Sequence, residues 1–180
     1  MQQADEKQLI ARILDGHAEE YGYFLTRYGD DVFYLVARLV PLQQDAEELV
    51  QDAFVRAYDK LDTYTGEASF RTWLCRIAYN LTISWLRKQK MKYVAIDERL
   101  DVSDADVDQL LDDDSRIQQL RDACTQLKPD EQTLINLFYY DGLPMRDIAY
   151  ILGMEQGNVA TRLYRIRKKL YLIIKKKGTI

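Results

Sequence analysis

Histidine occurs once in the 180 residues, as His17, and cysteine twice, as Cys75 and Cys124, at no metal-binding or framework spacing. So few imidazoles and thiols argue against a His-dependent triad, an HExxH site, a zinc cluster or a disulfide scaffold, and they fit a reducing cytosol. His17, beside the helix-ending Gly16, reads as a surface residue. No apolar run approaches the ~20 residues of a membrane helix, and the opening MQQADEKQ has no signal-peptide character, so a cytoplasmic protein without membrane insertion is expected. Strand signals are nearly missing too, with no Asn-Gly hairpin turn and little sustained alternation. No convergent acid, base or metal set stands out; Asp112, Asp113 and Asp114 point apart on consecutive positions and read as solvated charge. Neither catalytic residues nor a cofactor are expected.

The remainder is a globular balance, 47% apolar and 30% charged, with a formal net charge of −4. The charge is unevenly spread. Residues 1–67 carry 14 acids against 6 bases, whereas between Glu67 and Asp97 stand six bases (Arg71, Arg76, Arg87, Lys88, Lys90, Lys92) and no acid. Residues 91–114 hold nine acids and two bases, and from Arg162 to Lys177 there are eight bases and no acid. One basic island alone is a solvated helix face; two, separated by an acidic stretch, suggest two contacts on one polyanion.

Apolar residues recur at three and four, which predicts an all-α chain of two small helical domains, 1–92 and 116–180, joined by an acidic linker at 93–115. Leu9, Ile10, Ile13 and Leu14 make a first helix closed by Gly16. A second stretch runs through Tyr21, Phe24 and Leu25, and a third through Val32 to Leu39, stopped by Pro41. Asp45, with Glu48 as reciprocating partner, reads as the cap of a helix over 45–61. A loop at 63–69 follows, whose Ser69 can cap a helix over 70–90. In that helix Phe70, Leu74, Ile77, Leu81 and Trp85 share one arc and should be core. Thr72, Arg76, Tyr79, Asn80, Ile83 and Arg87 form the other side, which suits single-strand binding through stacking and phosphate contacts; packing inside a bundle explains Tyr79 and Ile83 equally well. The linker is weakly periodic, with one helical turn expected around 107–111.

After it, Ile117, Leu120, Ala123, Cys124 and Leu127 restore the helical period. Pro129, Asp130 and Glu131 then start a helix, the acids lying near its positive end, and Asp141-Gly142 stops it. Ala149, Gly153 four later and Val159 six beyond that make a helix-turn-helix signature: a small residue for close approach, a glycine for the turn and an apolar seat for the second helix. That second helix continues into Arg162, Arg165, Arg167, Lys168 and Lys169, as a helix lying in a DNA groove would.

The run DAEELVQDAFVRAYDKLDTYTGEASFRTWLCRIAYNLTISWLRKQK (45–90) closely resembles the second region of extracytoplasmic-function sigma factors, and LKPDEQTLINLFYYDGLPMRDIAYILGMEQGNVATRLYRIRKKL (127–170) resembles their fourth. The resemblance implies a sigma region 2 domain and a sigma region 4 helix-turn-helix domain. It implies binding to core RNA polymerase, at the clamp of the largest catalytic subunit and the flap of the second-largest, together with promoter DNA and an anti-sigma factor. Glu47, Glu48, Gln51, Asp52 and Arg56 would face the clamp. At the minus-ten element, Tyr64, Phe70 and Asn80 would capture bases or touch the groove, and Arg76, Arg87 and Lys88 would hold phosphate. At the minus-thirty-five element the facing positions would be Gln156, Asn158, Ala160, Thr161, Arg162, Tyr164, Arg165 and Lys168. Ala160 stands where many relatives carry a base, and Pro144 replaces a commoner Ser or Thr cap. The acidic linker would either mimic nucleic acid inside the polymerase or merely be solvated.

The function so implied is promoter-specific initiation of transcription, by a chain that is a monomer when free and catalyses nothing itself. A conventional helix-turn-helix regulator would use 127–170 alike but would need a ligand or dimer domain within 1–90. A sigma mimic that only sequesters an anti-sigma protein need not keep a basic recognition helix.

Overall fold

The computed structural model describes residues 3–90 and 114–177, and among these it contains helices and turns with no strand. The expected linker therefore lies outside the described residues except for its last two positions, as does the helical turn expected at 107–111. The chain divides into two compact units, whose main bodies are the helices up to Lys90 and those from Asp114 onward.

The first unit is built from α1 (Gln3–Leu14), α2 (Gly22–Ala37), α3 (Gln43–Asp59) and α4 (Phe70–Lys90). Helices α2, α3 and α4 pack on one another. Ala46, Ala53 and Ala57 are completely buried and lie seven and four apart on α3. Side chains this small let backbones approach closely, and the spacing leaves the opposite face of α3 to solvent. The centre is aromatic: Phe24 and Phe70 are fully buried with ring centroids 3.9 Å apart. Against this core α1 lays Leu9, Ile10 and Ile13. Its buried Glu6 accepts a short hydrogen bond from the Tyr28 hydroxyl, and burial, reinforced by that carboxylate, pushes the Tyr28 phenol well above its ordinary range. Tyr21, in the turn before α2, donates to the Phe54 carbonyl at 2.8 Å and so ties that turn to α3.

Two local expectations are corrected. The two helical stretches expected over 21–39 are one helix, α2. Phe24, Tyr28, Val32, Leu35 and Val36 keep an unbroken buried stripe, and neither a proline nor a cap interrupts it. Helix α3 begins at Gln43, ahead of Asp45; the residue before it, Leu42, is extended and contributes no side-chain cap. The Asp45–Glu48 capping box is not formed. Pro41 precedes the start, and Asp45 sits in the first turn, where its charge meets the positive end of the helix. Ser69 does cap α4 as expected, its Oγ accepting from the Thr72 amide at 3.1 Å.

The second unit holds α5 (Asp114–Cys124), α6 (Pro129–Ile135) and α8 (Gln156–Lys177), together with the start of α7 (Met145–Leu152) up to Ile148; Ala149–Gly153 belong to the first unit. Pro129 opens α6, and Glu131 accepts from the Lys128 amide at 2.9 Å, closing the helix start. The helix runs on into a π-helical turn, Asn136–Tyr140, where the Asp141 amide reaches the Asn136 carbonyl at 3.0 Å. Gly142, at φ 60°, then turns the chain. Helices α5 and α6 pack on α8.

Candidate nucleic-acid interface

The turn between α7 and α8 is made by Gly153, whose φ of 65° is in the left-handed region where a side chain is strained. Ala149 and Val159, on either side of it, are buried. On α8 the buried positions are Val159, Leu163, Ile166, Leu170 and Ile174, spaced by four, three, four and four. That apolar stripe fixes the rotation of the helix. It leaves Gln156, Asn158, Ala160, Thr161, Tyr164 and Arg165 exposed and Arg162 and Lys168 half-buried, so all eight positions implied for the minus-thirty-five element lie off the core. Asn158, Thr161, Arg162 and Arg165, with Met154 from the turn, line one shallow depression. Met154 was not singled out from the sequence, where an isolated methionine carries no signal.

The cations of α8 are not equivalent. Arg162 Nη2 donates to Asp130 Oδ2 at 2.8 Å, and Lys169 Nζ to Glu131 Oε2 at 2.7 Å. Arg167 Nε donates to the Tyr139 hydroxyl at 2.7 Å, and Lys168 Nζ lies 4.6 Å from the centre of the Tyr164 ring. Arg165 is exposed at the helix face. By sequence alone, Asp130 and Glu131 have a role only at the start of α6. Their partners, 32 and 38 residues away, leave no local signal.

In the first unit the exposed face of α3 carries Glu47, Glu48, Gln51, Asp52 and Arg56 together, as expected. The minus-ten set divides. Asn80, Arg87 and Lys88 are exposed and Arg76 is half-buried. Tyr64 is half-buried, its hydroxyl donating to the Ala68 carbonyl at 2.8 Å and its ring centred 5.6 Å from Phe70 and 5.4 Å from Trp73. Phe70, expected as a base contact, has no exposed surface. A ring with no free face cannot stack on a base, so Phe70 belongs to the core alone. Tyr79, expected on the polar side, is buried as well, as bundle packing requires; Ile77 and Trp85, expected in the core, are only half-buried. Arg71 is engaged by Asp31 through two contacts of 2.6 and 3.1 Å, which removes one cation from the first basic island. Among the described residues no group of three or more His, Cys, Asp or Glu is placed to hold a metal ion, and no helix is long and apolar enough to cross a membrane.

A helix-turn-helix with a basic, outward-facing second helix, paired with a separate helical unit, defines a DNA-binding transcription protein. Residues 24–91 match the model of sigma-70 region 2 and residues 117–170 that of sigma-70 region 4. The chain is 34% identical over 175 residues to the ECF RNA polymerase sigma factor SigW of Bacillus subtilis (strain 168), covering 91% of this chain and 94% of that one. It is 29% identical to the ECF RNA polymerase sigma-E factor of Haemophilus influenzae, covering 94% and 95%. Among solved structures it is similar to RpoE of Bartonella quintana, crystallised with the anti-sigma factor NepR (TM-score 0.63, 25% identity, 87% of this chain and 98% of that one). The fold is also that of CnrH, solved with the cytosolic domain of CnrY (TM-score 0.66, 22% identity, 94% and 97% covered). The chain belongs to the extracytoplasmic-function sigma factors of RNA polymerase. As such it directs promoter-specific initiation of transcription, in a family of initiation factors that are not enzymes.

Proposed function

We propose that the chain binds core RNA polymerase through the exposed face of α3, docking Glu47, Glu48, Gln51, Asp52 and Arg56 on the clamp of the largest catalytic subunit, with the flap of the second-largest engaging the second unit. Helix α8 reads the minus-thirty-five element in the major groove. Thr161 and Arg165, four apart and one turn from the helix start, reach base edges, each good contact giving ~1–3 kcal/mol of discrimination. Lys168 holds phosphate. Asn80 and Tyr64 act at the minus-ten element, with Arg76, Arg87 and Lys88 on the backbone. Opening costs a few kcal/mol per unstacked step, and stacking of ~1–3 kcal/mol per captured base, with polymerase contacts, offsets it. No bond is made or broken by this chain. It works in the cytoplasm as a monomer when free, under control of an anti-sigma factor.

The observation that carries this reading is the rotation of α8: its apolar stripe is buried, and the polar residues of its first three turns stand together on the outer side. The test is run-off transcription with core polymerase on a promoter library, followed by binding to a single-base substitution series. Arg165→Ala should relax preference at particular bases of the minus-thirty-five element. An equal loss on every variant would make Arg165 a phosphate clamp and refute its assignment as a reader.

A further inference from the structure

Arg162 and Lys169 are seven residues apart, hence two turns apart on the same flank of α8. Each is met by a carboxylate from the first turn of α6: Asp130 at 2.8 Å and Glu131 at 2.7 Å. Arg162 also lines the depression with Asn158, Thr161 and Arg165, so its guanidinium stands at the edge of the surface assigned to base reading. Both pairs are partly exposed, with side-chain accessibilities of 42% and 34% for the first and 35% and 20% for the second. Acids at a helix start are explained by the helix dipole alone. The dipole does not explain why both are joined to cations of the neighbouring helix, and to those flanking the DNA-facing positions.

We propose that Asp130 and Glu131 are positioning residues for DNA selectivity, holding Arg162 and Lys169 so that they meet phosphate only in the register where the bases are also read. Asp130 engages the guanidinium through Nη2, which restricts how far the side chain swings while its other N–H groups can still meet a phosphate. A free arginine or lysine follows phosphates into any register, and its contribution is independent of sequence. A tethered one contributes fully only where a phosphate falls at its open edge. The two acids thereby lower the affinity for non-specific DNA more than that for the promoter. This extends the reading of α8 as the minus-thirty-five reader and rests on it.

The test uses holoenzyme assembled from the full chain and core polymerase. Binding to a promoter duplex and to the same duplex with a scrambled minus-thirty-five element is measured at several salt concentrations, for the unaltered chain, Asp130→Asn, Glu131→Gln and the double variant. Glu131→Gln retains an oxygen that can accept from the Lys128 amide, so the start of α6 is preserved, while loss of the carboxylate charge weakens the hold on Lys169, whose ammonium shares that oxygen. Each freed cation that finds a phosphate steepens the log–log salt slope on scrambled DNA by about one unit and raises that affinity up to about eightfold at 0.1 M salt relative to 1 M. Promoter affinity should change less, so the ratio of promoter to scrambled binding falls severalfold in the double variant. A ratio and slope that stay constant, whether or not the thermal midpoint drops, would overturn the proposal and confine the acids to stabilising α6. An equal rise on both duplexes would also overturn it, since charge alone would then be at work. If the unaltered holoenzyme shows no minus-thirty-five preference, the reading of α8 fails first and this proposal with it. That result is distinct from a preference that persists but ignores the acids.

Discussion

Phe70 is the residue at which a stability role and a DNA role can be separated most sharply. Its ring is fully buried, stacked on Phe24 at 3.9 Å and flanked by Trp73 at 5.5 Å, Tyr64 at 5.6 Å and Tyr28 at 6.1 Å. Truncating such a ring removes its transfer free energy and leaves a cavity among neighbours that cannot collapse onto it, together about 3–5 kcal/mol. For a helical unit of this size, each kcal/mol shifts the midpoint by roughly 4–8 °C, so Phe70→Ala should lower melting of the first unit by roughly 12–40 °C. Phe70→Leu keeps an apolar side chain but loses volume and the ring contacts, and should cost less than truncation, about 1–3 kcal/mol. Far-ultraviolet circular dichroism on heating gives both midpoints. Run-off transcription well below the Phe70→Leu midpoint gives the functional half. That variant should initiate like the unaltered chain, because a buried ring offers nothing to DNA. A Phe70→Ala midpoint within about 5 °C of the unaltered chain, or a Phe70→Leu protein that is stable yet unable to open promoters, would refute the burial argument and return Phe70 to the DNA surface.

Three other perturbations address exposed positions. Asp52→Lys reverses one charge on the open face of α3 and should weaken core polymerase binding in a pull-down while helicity stays native; full affinity would remove α3 from the clamp interface. Asn80→Ala should impair open-complex formation on duplex promoters more than on templates already mismatched across the minus-ten region, and Tyr64→Phe should cost about 0.5–1.5 kcal/mol of stability by releasing the Ala68 carbonyl. Equal Asn80→Ala defects on both templates would restrict that residue to base recognition. Lys168→Ala should weaken binding evenly across sequences and make the salt slope shallower by about one unit; a base-specific change would make Lys168 a reader.

The helix-turn-helix was legible in the sequence because its constraints are local. A left-handed turn at Gly153 demands glycine, and burial of Val159, Leu163, Ile166 and Leu170 follows from a period that any amphipathic helix must keep. Ser69 was legible for the same reason, since a cap and its amide are three residues apart. The start of α3 was misread where two local signals compete: Asp45 resembles a cap, yet the extended Leu42 after Pro41 sets the first turn earlier. Helix α4 was misread because one arc of core residues suits a helix packed on one side. Here Thr72, Trp73, Leu74, Cys75, Ala78, Tyr79, Leu81 and Thr82 are all buried, so α4 is enclosed around most of its girth over 72–82. How far neighbours enclose a helix is a tertiary fact that periodicity does not carry.

Charge shows the same limit in the candidate site. Counting from Arg162 to Lys177 finds eight bases and no acid, and as a string that is an undivided positive field. Folding divides it. Asp130 and Glu131, which the sequence places before the previous helix, take Arg162 and Lys169, and Tyr139 takes Arg167. A surface ion pair adds little stability, the median lying between about 0 and 1 kcal/mol, so these pairings matter less for holding the fold than for deciding which cations stand ready for a polyanion. Arg165 is exposed and Arg162 is paired with Asp130, although the two are equally basic in the sequence. On the proposed reading of α8, the electrostatic contribution to DNA binding would follow the arrangement of α6 on α8. Two proteins with identical recognition helices but different residues at the start of α6 would grip DNA differently.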